Sequence, residues 1–293
     1  MLYCHQGRYK EAGILLKKAL EMRKKALSPE HPDVTSTLQN LAAAYFELGR
    51  FDEAGPMFRR VLAIEQKVVG QDHPDMASNL HHLAAYHSVR GRYAEAESLT
   101  TRALDIRQRA LSEDHLEVAS SLRTLATMYR LSERYEEGEA LLKRAEAIYQ
   151  KILHPDYPEM AELITEMATL YTGWKKYDAA ESLYRRALDL KEKVLDPDHP
   201  EIATTLYGLG ILYASQDQYT DAEPLLERAL MIREKVFGET HIYVADILVE
   251  LAVLYSGLGR FPESLPLLER AVQIRQEVLG RDHHMTLTAL AFY

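Results

Sequence analysis

Apolar residues recur along the chain at i, i+4, i+7 and i+11, and the series begins again every 42 residues. Its members are Val34, Leu38, Leu41 and Tyr45; Met76, Leu80, Leu83 and His87; Val118, Leu122, Leu125 and Tyr129. It continues as Met160, Ile164, Met167 and Tyr171; Ile202, Leu206, Leu209 and Tyr213; Val244, Leu248, Leu251 and Tyr255. That spacing is one stripe of an amphipathic helix, and no alternating run competes with it. A second pattern follows within each period. It opens on an aromatic (Tyr9, Phe51, Tyr93, Tyr135, Tyr177, Tyr219, Phe261), with a small residue three positions later (Ala12, Ala54, Ala96, Gly138, Ala180, Ala222, Ser264). Seven further on lies Ala19, Val61, Ala103, Ala145, Ala187, Ala229 or Ala271. Small residues at fixed places let helix backbones approach, and the aromatic is expected to fill the gap beside them. Each period therefore predicts a helical hairpin.

The register gives complete units at 31–72, 73–114, 115–156, 157–198, 199–240 and 241–282, with no insertion or deletion. Residues 1–30 are the end of a preceding unit and 283–293 the start of a further one. Residues 1–293 are thus read as a single array of stacked units without a linker. Met1 aligns with Ala43, and Leu287, Leu290 and Phe292 do not make a polar cap, so a segment of a longer array with frayed ends is expected.

Punctuation supports the hairpins. Gly49, Gly91 and Gly259 fall between the two helices, where positive φ is easily accommodated. Glu30-His31-Pro32, Asp72-His73-Pro74 and Asp198-His199-Pro200 mark joints, with proline suited to a first helical turn. Acids follow at Asp33, Asp75, Glu117, Glu159 and Glu201, where they meet the positive end of the helix dipole. The boundary histidines 31, 73, 115, 199, 241 and 283 stand one repeat apart on different hairpins, and read as caps in preference to a metal ladder.

Leu41-Ala42, Tyr45, Ala54 and Phe58, and again Leu209-Gly210, Tyr213, Ala222 and Leu226, resemble the tetratricopeptide repeat signature. The 42-residue period, the second helices ending in forms such as Ile232–Gly238, and the Asp-His-Pro joints are similar to the kinesin-light-chain variety. His87, Thr100, and the turn residues Glu133, Lys175 and Asp217 depart from the pattern. The resemblance implies an all-α, right-handed superhelical solenoid whose first helices line a concave groove.

Composition narrows the function. The net charge is −9, so nucleic acid and anionic membrane surfaces are not expected partners. Apolar runs are far short of the roughly 18–20 residues that span a bilayer. With one cysteine, Cys4, and no export signal at the start, the expected compartment is the cytoplasm. Phosphate-loop, H-E-x-x-H and C-x-x-C motifs are missing. Gly208-Leu209-Gly210 lies inside a helical stripe and Gly257-Leu258-Gly259 in a repeat turn, so neither is a dinucleotide loop. His81, His82 and His87 form the histidine cluster, but His82 and His87 are five apart, about 140° round a helix, where a zinc pair needs three or four. His87 reads as taking the tyrosine's place in the core. Glu136-Glu137 reads as solvated surface, and Cys4 lacks a histidine partner for nucleophilic work. The pairs Lys17-Lys18, Arg59-Arg60 and Arg185-Arg186, with Glu269-Arg270, read as a solvated face with ion pairs between repeats. Neither catalysis nor a cofactor is expected.

Function is expected in the groove. The resemblance places positions 36, 39, 40, 43, 46 and 47 of the first complete unit, and their equivalents, on it. Candidate partner-binding residues are Gln39, Asn40, His81, His82, Arg123, Arg130, Glu166, Tyr207, Asp246 and Glu250. The N-terminal half of the groove carries two arginines with the donors Asn40, His81 and His82, and one acid; the C-terminal half carries four acids and no base. The expected activity is a non-catalytic protein-interaction scaffold, monomeric, holding an extended protein or peptide segment with an acidic and a basic stretch. The alternative is a sensor or regulatory arm of a larger signalling protein, such as a fused ATPase or a peptide-responsive regulator.

Overall fold

The computed structural model describes residues 9–70, 73–152, 158–281 and 283–292, and among these every regular element is a helix. Cys4 lies outside them. The chain forms two compact units, Met1–Ile152 and Leu153–Tyr293. The first contains α1 (Tyr9–Ala26), α2 (Pro32–Glu47), α3 (Phe51–Val68), α4 (Pro74–Val89), α5 (Tyr93–Ala110), α6 (Leu116–Leu131) and α7 (Tyr135–Ile152). The second contains α8 (Pro158–Gly173), α9 (Tyr177–Val194), α10 (Pro200–Ala214), α11 (Tyr219–Phe237), α12 (Ile242–Gly257), α13 (Phe261–Leu279) and α14 (His284–Phe292). Within each unit, helices pack on their neighbours in chain order. The first helices of successive hairpins also meet: α2 with α4, α4 with α6, α8 with α10, and α10 with α12.

The predicted stripe is the core. Met76, Leu80, Val118, Leu122, Ile202, Leu206, Val244 and Leu248 are all buried to within 1% of completely. The small residues Ala54, Ala96, Ala180 and Ala222 of the second helices are wholly buried against it. The leading aromatics behave differently from expectation. Phe51 is buried, but Phe261 is 64% exposed and Tyr93, Tyr135, Tyr177 and Tyr219 are only half-buried. Part of the gap is filled instead by other tyrosines set against glycines, Tyr86 on Gly55 and Tyr184 on Gly208, while among the leading aromatics Tyr219 lies on Gly257. Gly208 and Gly210 are therefore packing residues of α10, consistent with rejecting them as a dinucleotide loop. His87 occupies the tyrosine position only half-buried, with Nδ1 unpartnered among the described residues, because Tyr86 beside it takes the interior contact.

All six boundary histidines act as caps. Nδ1 of His31, His115 and His241 accepts from the backbone N–H two residues on at 3.1 Å, and that of His73, His199 and His283 at 3.3 Å. Each supplies an acceptor for an N–H that has no partner inside the helix. The turns between paired helices also share one geometry. Gly49, Gly91 and Gly259 have φ of 70°, 71° and 73°, and Glu133, Lys175 and Asp217 keep the same left-handed conformation at 59°, 60° and 58°.

Candidate partner-binding face and the ladder beneath it

All ten candidate residues are half-buried, on first helices and off the buried stripe. In the first unit, Gln39 and Asn40 lie on α2, His81 and His82 on α4, and Arg123 and Arg130 on α6. In the second, Glu166 lies on α8, Tyr207 on α10, and Asp246 and Glu250 on α12. The two sets belong to separate units.

The two histidines are drawn into internal contacts. Burial, with His82, Arg107 and Arg123 adding repulsion, pushes the His81 imidazole down to about 3. Its Nδ1 lies 3.1 Å from Thr124 Oγ1 on the next first helix. Burial likewise lowers His82, whose Nδ1–H donates to the Ser78 carbonyl at 2.7 Å while its ring stacks on Phe58. Both are neutral packing groups. Arg123 also has an internal contact, donating to the Tyr149 hydroxyl at 3.2 Å.

In the second unit Asp246 meets a cation that the groove positions alone did not reveal. Arg275 donates to Asp246 Oδ1 at 3.0 Å, although burial still raises the Asp246 carboxyl. Arg233 lies 4.8 Å from the centre of the Tyr207 ring, whose hydroxyl burial pushes well above its ordinary range. Glu250 is raised by burial and then by Asp246. Asp246 is thus an internally paired acid, its base supplied by a second helix from beneath.

These bases form a series that sequence reasoning missed. At position 23 and every 42 residues after it stand Arg23, Glu65, Arg107, Tyr149, Lys191, Arg233 and Arg275. The five cations share one bond, donating to the carbonyl ten residues ahead, in the first turn of the next hairpin. The acceptors are Asp33 (2.9 Å), Glu117 (3.2 Å), Glu201 (3.3 Å), Tyr243 (2.8 Å) and Met285 (2.8 Å). Arg107, Lys191, Arg233 and Arg275 are each at most 6% exposed. Burying a cation is tolerable when backbone carbonyls and a carboxylate surround it; Glu117 Oε2 lies 3.0 Å from Arg107 Nε. The 42-residue recurrence was the available signal, but a lone charge among other charges reads as surface.

The exposed pairs Lys17-Lys18, Arg59-Arg60 and Arg185-Arg186 are solvated as expected. Within this series Arg270 bridges to the preceding repeat, reaching Glu234 at 2.7 Å, and further bridges between repeats come from other positions. Lys67 reaches Glu30 at 2.6 Å, Lys151 reaches Asp114 at 2.8 Å, Arg134 reaches Glu97 at 2.9 Å and Arg260 reaches Glu223 at 2.7 Å. Glu136 and Glu137 are exposed, and Glu137 bridges Arg134. Among the described residues no group of three metal-binding side chains converges, and no helix is long and apolar enough to cross a membrane.

Like hairpins, capped alike and stitched to the next by a recurring side chain, define a helical-repeat protein that offers a face of first helices in each unit. The chain belongs to the tetratricopeptide repeat family, whose models match residues 1–67, 34–109, 75–151, 117–193, 159–235, 201–262 and 244–284. Such repeats are general protein-interaction scaffolds. A kinesin-light-chain-type array of nearly identical TPR-like repeats from Podosopora anserina is similar at 26% identity and TM-score 0.52, covering 70% of this chain and 97% of that one. A Rap protein complexed with competence and sporulation factor shares the fold at 16% identity and TM-score 0.73, over 99% of this chain and 77% of that one. A signal transduction ATPase with a tetratricopeptide repeat sensor from Pyrococcus horikoshii shares it at 16% identity and TM-score 0.60, over 96% and 42% respectively. No curated protein matches the sequence.

Proposed function

We propose that the array is a non-catalytic, monomeric, cytoplasmic scaffold that holds a protein or peptide segment on its first-helix face. The supporting observation is the division of labour on each first helix. Leu122 is wholly buried while its neighbour Arg123 is half-exposed and off the stripe, so packing does not dictate the latter's identity. Arg123 and Arg130 are two turns apart on α6 and offer guanidinium forks that suit carboxylates. Glu166 and Glu250 are the acids that would meet basic residues; Asp246 already holds Arg275. The favoured partner is an extended segment with an acidic stretch for the first unit.

The test is capture of partners on the intact chain, identification by mass spectrometry, and affinity measurement with the Arg123→Ala/Arg130→Ala variant. Weakening by roughly 2–4 kcal/mol is expected, from about 1.5–3 per charge-assisted contact with some non-additivity. A variant that folds normally and binds undiminished would overturn the assignment. A second reading, a sensor or regulatory arm of a larger signalling protein, is supported by the fold held in common with the sensor-bearing ATPase of Pyrococcus horikoshii. A neighbouring effector sequence in the same gene would favour it.

A further inference from the structure

In the ladder, Glu65 is the inversion. Where five equivalent positions bring a donor to the next hairpin, it brings an acceptor. It is 9% exposed, and its Oε2 accepts no hydrogen bond among the described residues. Asn79 Oδ1 is likewise unsatisfied. Asn79 stands fourteen residues after Glu65, the place where Thr37, Ser121 and Thr205 receive the donors of Arg23, Arg107 and Lys191. Beside Glu65 is a cavity of about 320 Å³, with Ser36, Gln39, Asp75 and Ser78 in its walls. Ser36, Gln39 and Ser78 are positions of the first-helix face, so the cavity opens where a partner would lie. Arg107 shows what such a space accepts, since its guanidinium reaches Ser78 and Ser121 in the following joint. Burial, followed by the charge of Asp75, pushes the Glu65 carboxyl up to about 7, as expected of a carboxylate lacking a cation.

We infer that this cavity receives the guanidinium of an arginine carried by the bound partner, which stands in for the cation that the ladder omits at Glu65. The inference deepens the reading of the first-helix face as a partner-binding surface. Glu65 supplies the counter-charge, Asp75 a second carboxylate, and Gln39 and Ser78 uncharged acceptors. A buried, unpaired carboxylate is costly, and a planar group with several donors satisfies it better than water or an ammonium.

The test titrates the full-length protein with N-acetyl-arginine methylamide, its citrulline counterpart, and an acetyl-Gly-Ala-Arg-Ala-Gly-amide peptide, observed by NMR at Glu65 and Ser78. Saturable shifts with both arginine probes are expected, the peptide binding more tightly and the neutral citrulline isostere at least tenfold more weakly. Glu65→Gln should weaken binding tenfold or more with an unchanged fold. Glu65→Arg should abolish binding and raise Tm by a few degrees, because the chain then fills its own cavity. Equal affinity for the single residue and the peptide would overturn the assignment to a partner, pointing to a free guanidino compound. Equal affinity for citrulline, or indifference to Glu65→Gln, would overturn the cation site altogether. These probes need no identified partner, so loss of the Arg123–Arg130 contact would leave this result standing, and the reverse.

Discussion

The ring of Tyr184 lies directly on Gly208, so near that a Cβ there would stand 2.6 Å from it. The hydroxyl is fixed in turn by Thr169, 2.9 Å away. Gly208→Ala therefore forces displacement in a wholly buried ring and should cost roughly 1–3 kcal/mol in urea unfolding. Gly13→Ala is the contrast. Its Cβ would meet Tyr45 at an ordinary 3.6 Å, and helix propensity should then stabilise by about 0.5–1 kcal/mol.

The left-handed turns divide by residue type. Glu133 and Lys175 hold φ near 60° with a Cβ, at a cost of about 1–2 kcal/mol each relative to glycine. Replacing either by glycine should raise stability by about 1 kcal/mol, while Gly259→Ala should lower it comparably. Asp217→Gly should gain less, since its carboxylate accepts from the Tyr219 hydroxyl at 2.7 Å. Thermal melts of the single variants check the order.

Arg107 and Arg23 make the same bond at different depths. Arg107 is 5% exposed, so Arg107→Ala leaves Ser121 and the Glu117 carbonyl without their donor and should cost roughly 2–4 kcal/mol. Arg23 is exposed and Arg23→Ala should cost under about 1 kcal/mol. Equal losses in denaturant unfolding would show that burial is not what gives the ladder its strength.

Glu65 also fixes a pH dependence. Its folded value near 7 exceeds the ordinary 4.5, so the folded state binds the extra proton between those limits. That contribution is fully present below about 4.5, declines as pH rises, and is gone above about 7. Allowing for solvent at the cavity mouth, it amounts to about 1–2 kcal/mol. Asp75 and the Glu30–Lys67 pair stand around it and remain in the comparison. Glu65→Gln should lose this part of the slope of unfolding free energy against pH. An unchanged slope would rule out Glu65 as its source.

The stripe, the caps and the turns were legible because each depends on residues close in sequence. Val118, Leu122 and Leu125 announce their own burial by spacing, and His115 caps a group two residues away. The site was legible only as positions. Spacing within α4 does not say that His81 is held neutral, because the chief cause is burial in the packed array, and beside His82 the charges that add to it are Arg107 and Arg123 on other helices. Arg233, followed by Glu234 and Lys235, reads as surface until the Tyr243 carbonyl of the next hairpin is in place. Asp246 reads as a partner-facing acid from spacing alone for the same reason: Arg275 is 29 residues away and one helix below.

The stitching between hairpins has a mechanical consequence. Ladder bonds span ten residues and the outer bridges of Lys67, Lys151, Arg134 and Arg260 span 37, so none reaches beyond the adjoining hairpin. Under tension, these ties among the described residues join only adjoining hairpins and do not make either unit rupture as a whole. It should peel hairpin by hairpin, and a stretched strand lengthens by up to about 3.5 Å per freed residue. In an optical trap the extension would rise in steps of roughly 140 Å, less the thickness of one folded hairpin. The joint at Glu65, which has no built-in cation, should be the first in its unit to let go, and a bound arginine would act there as a removable rivet.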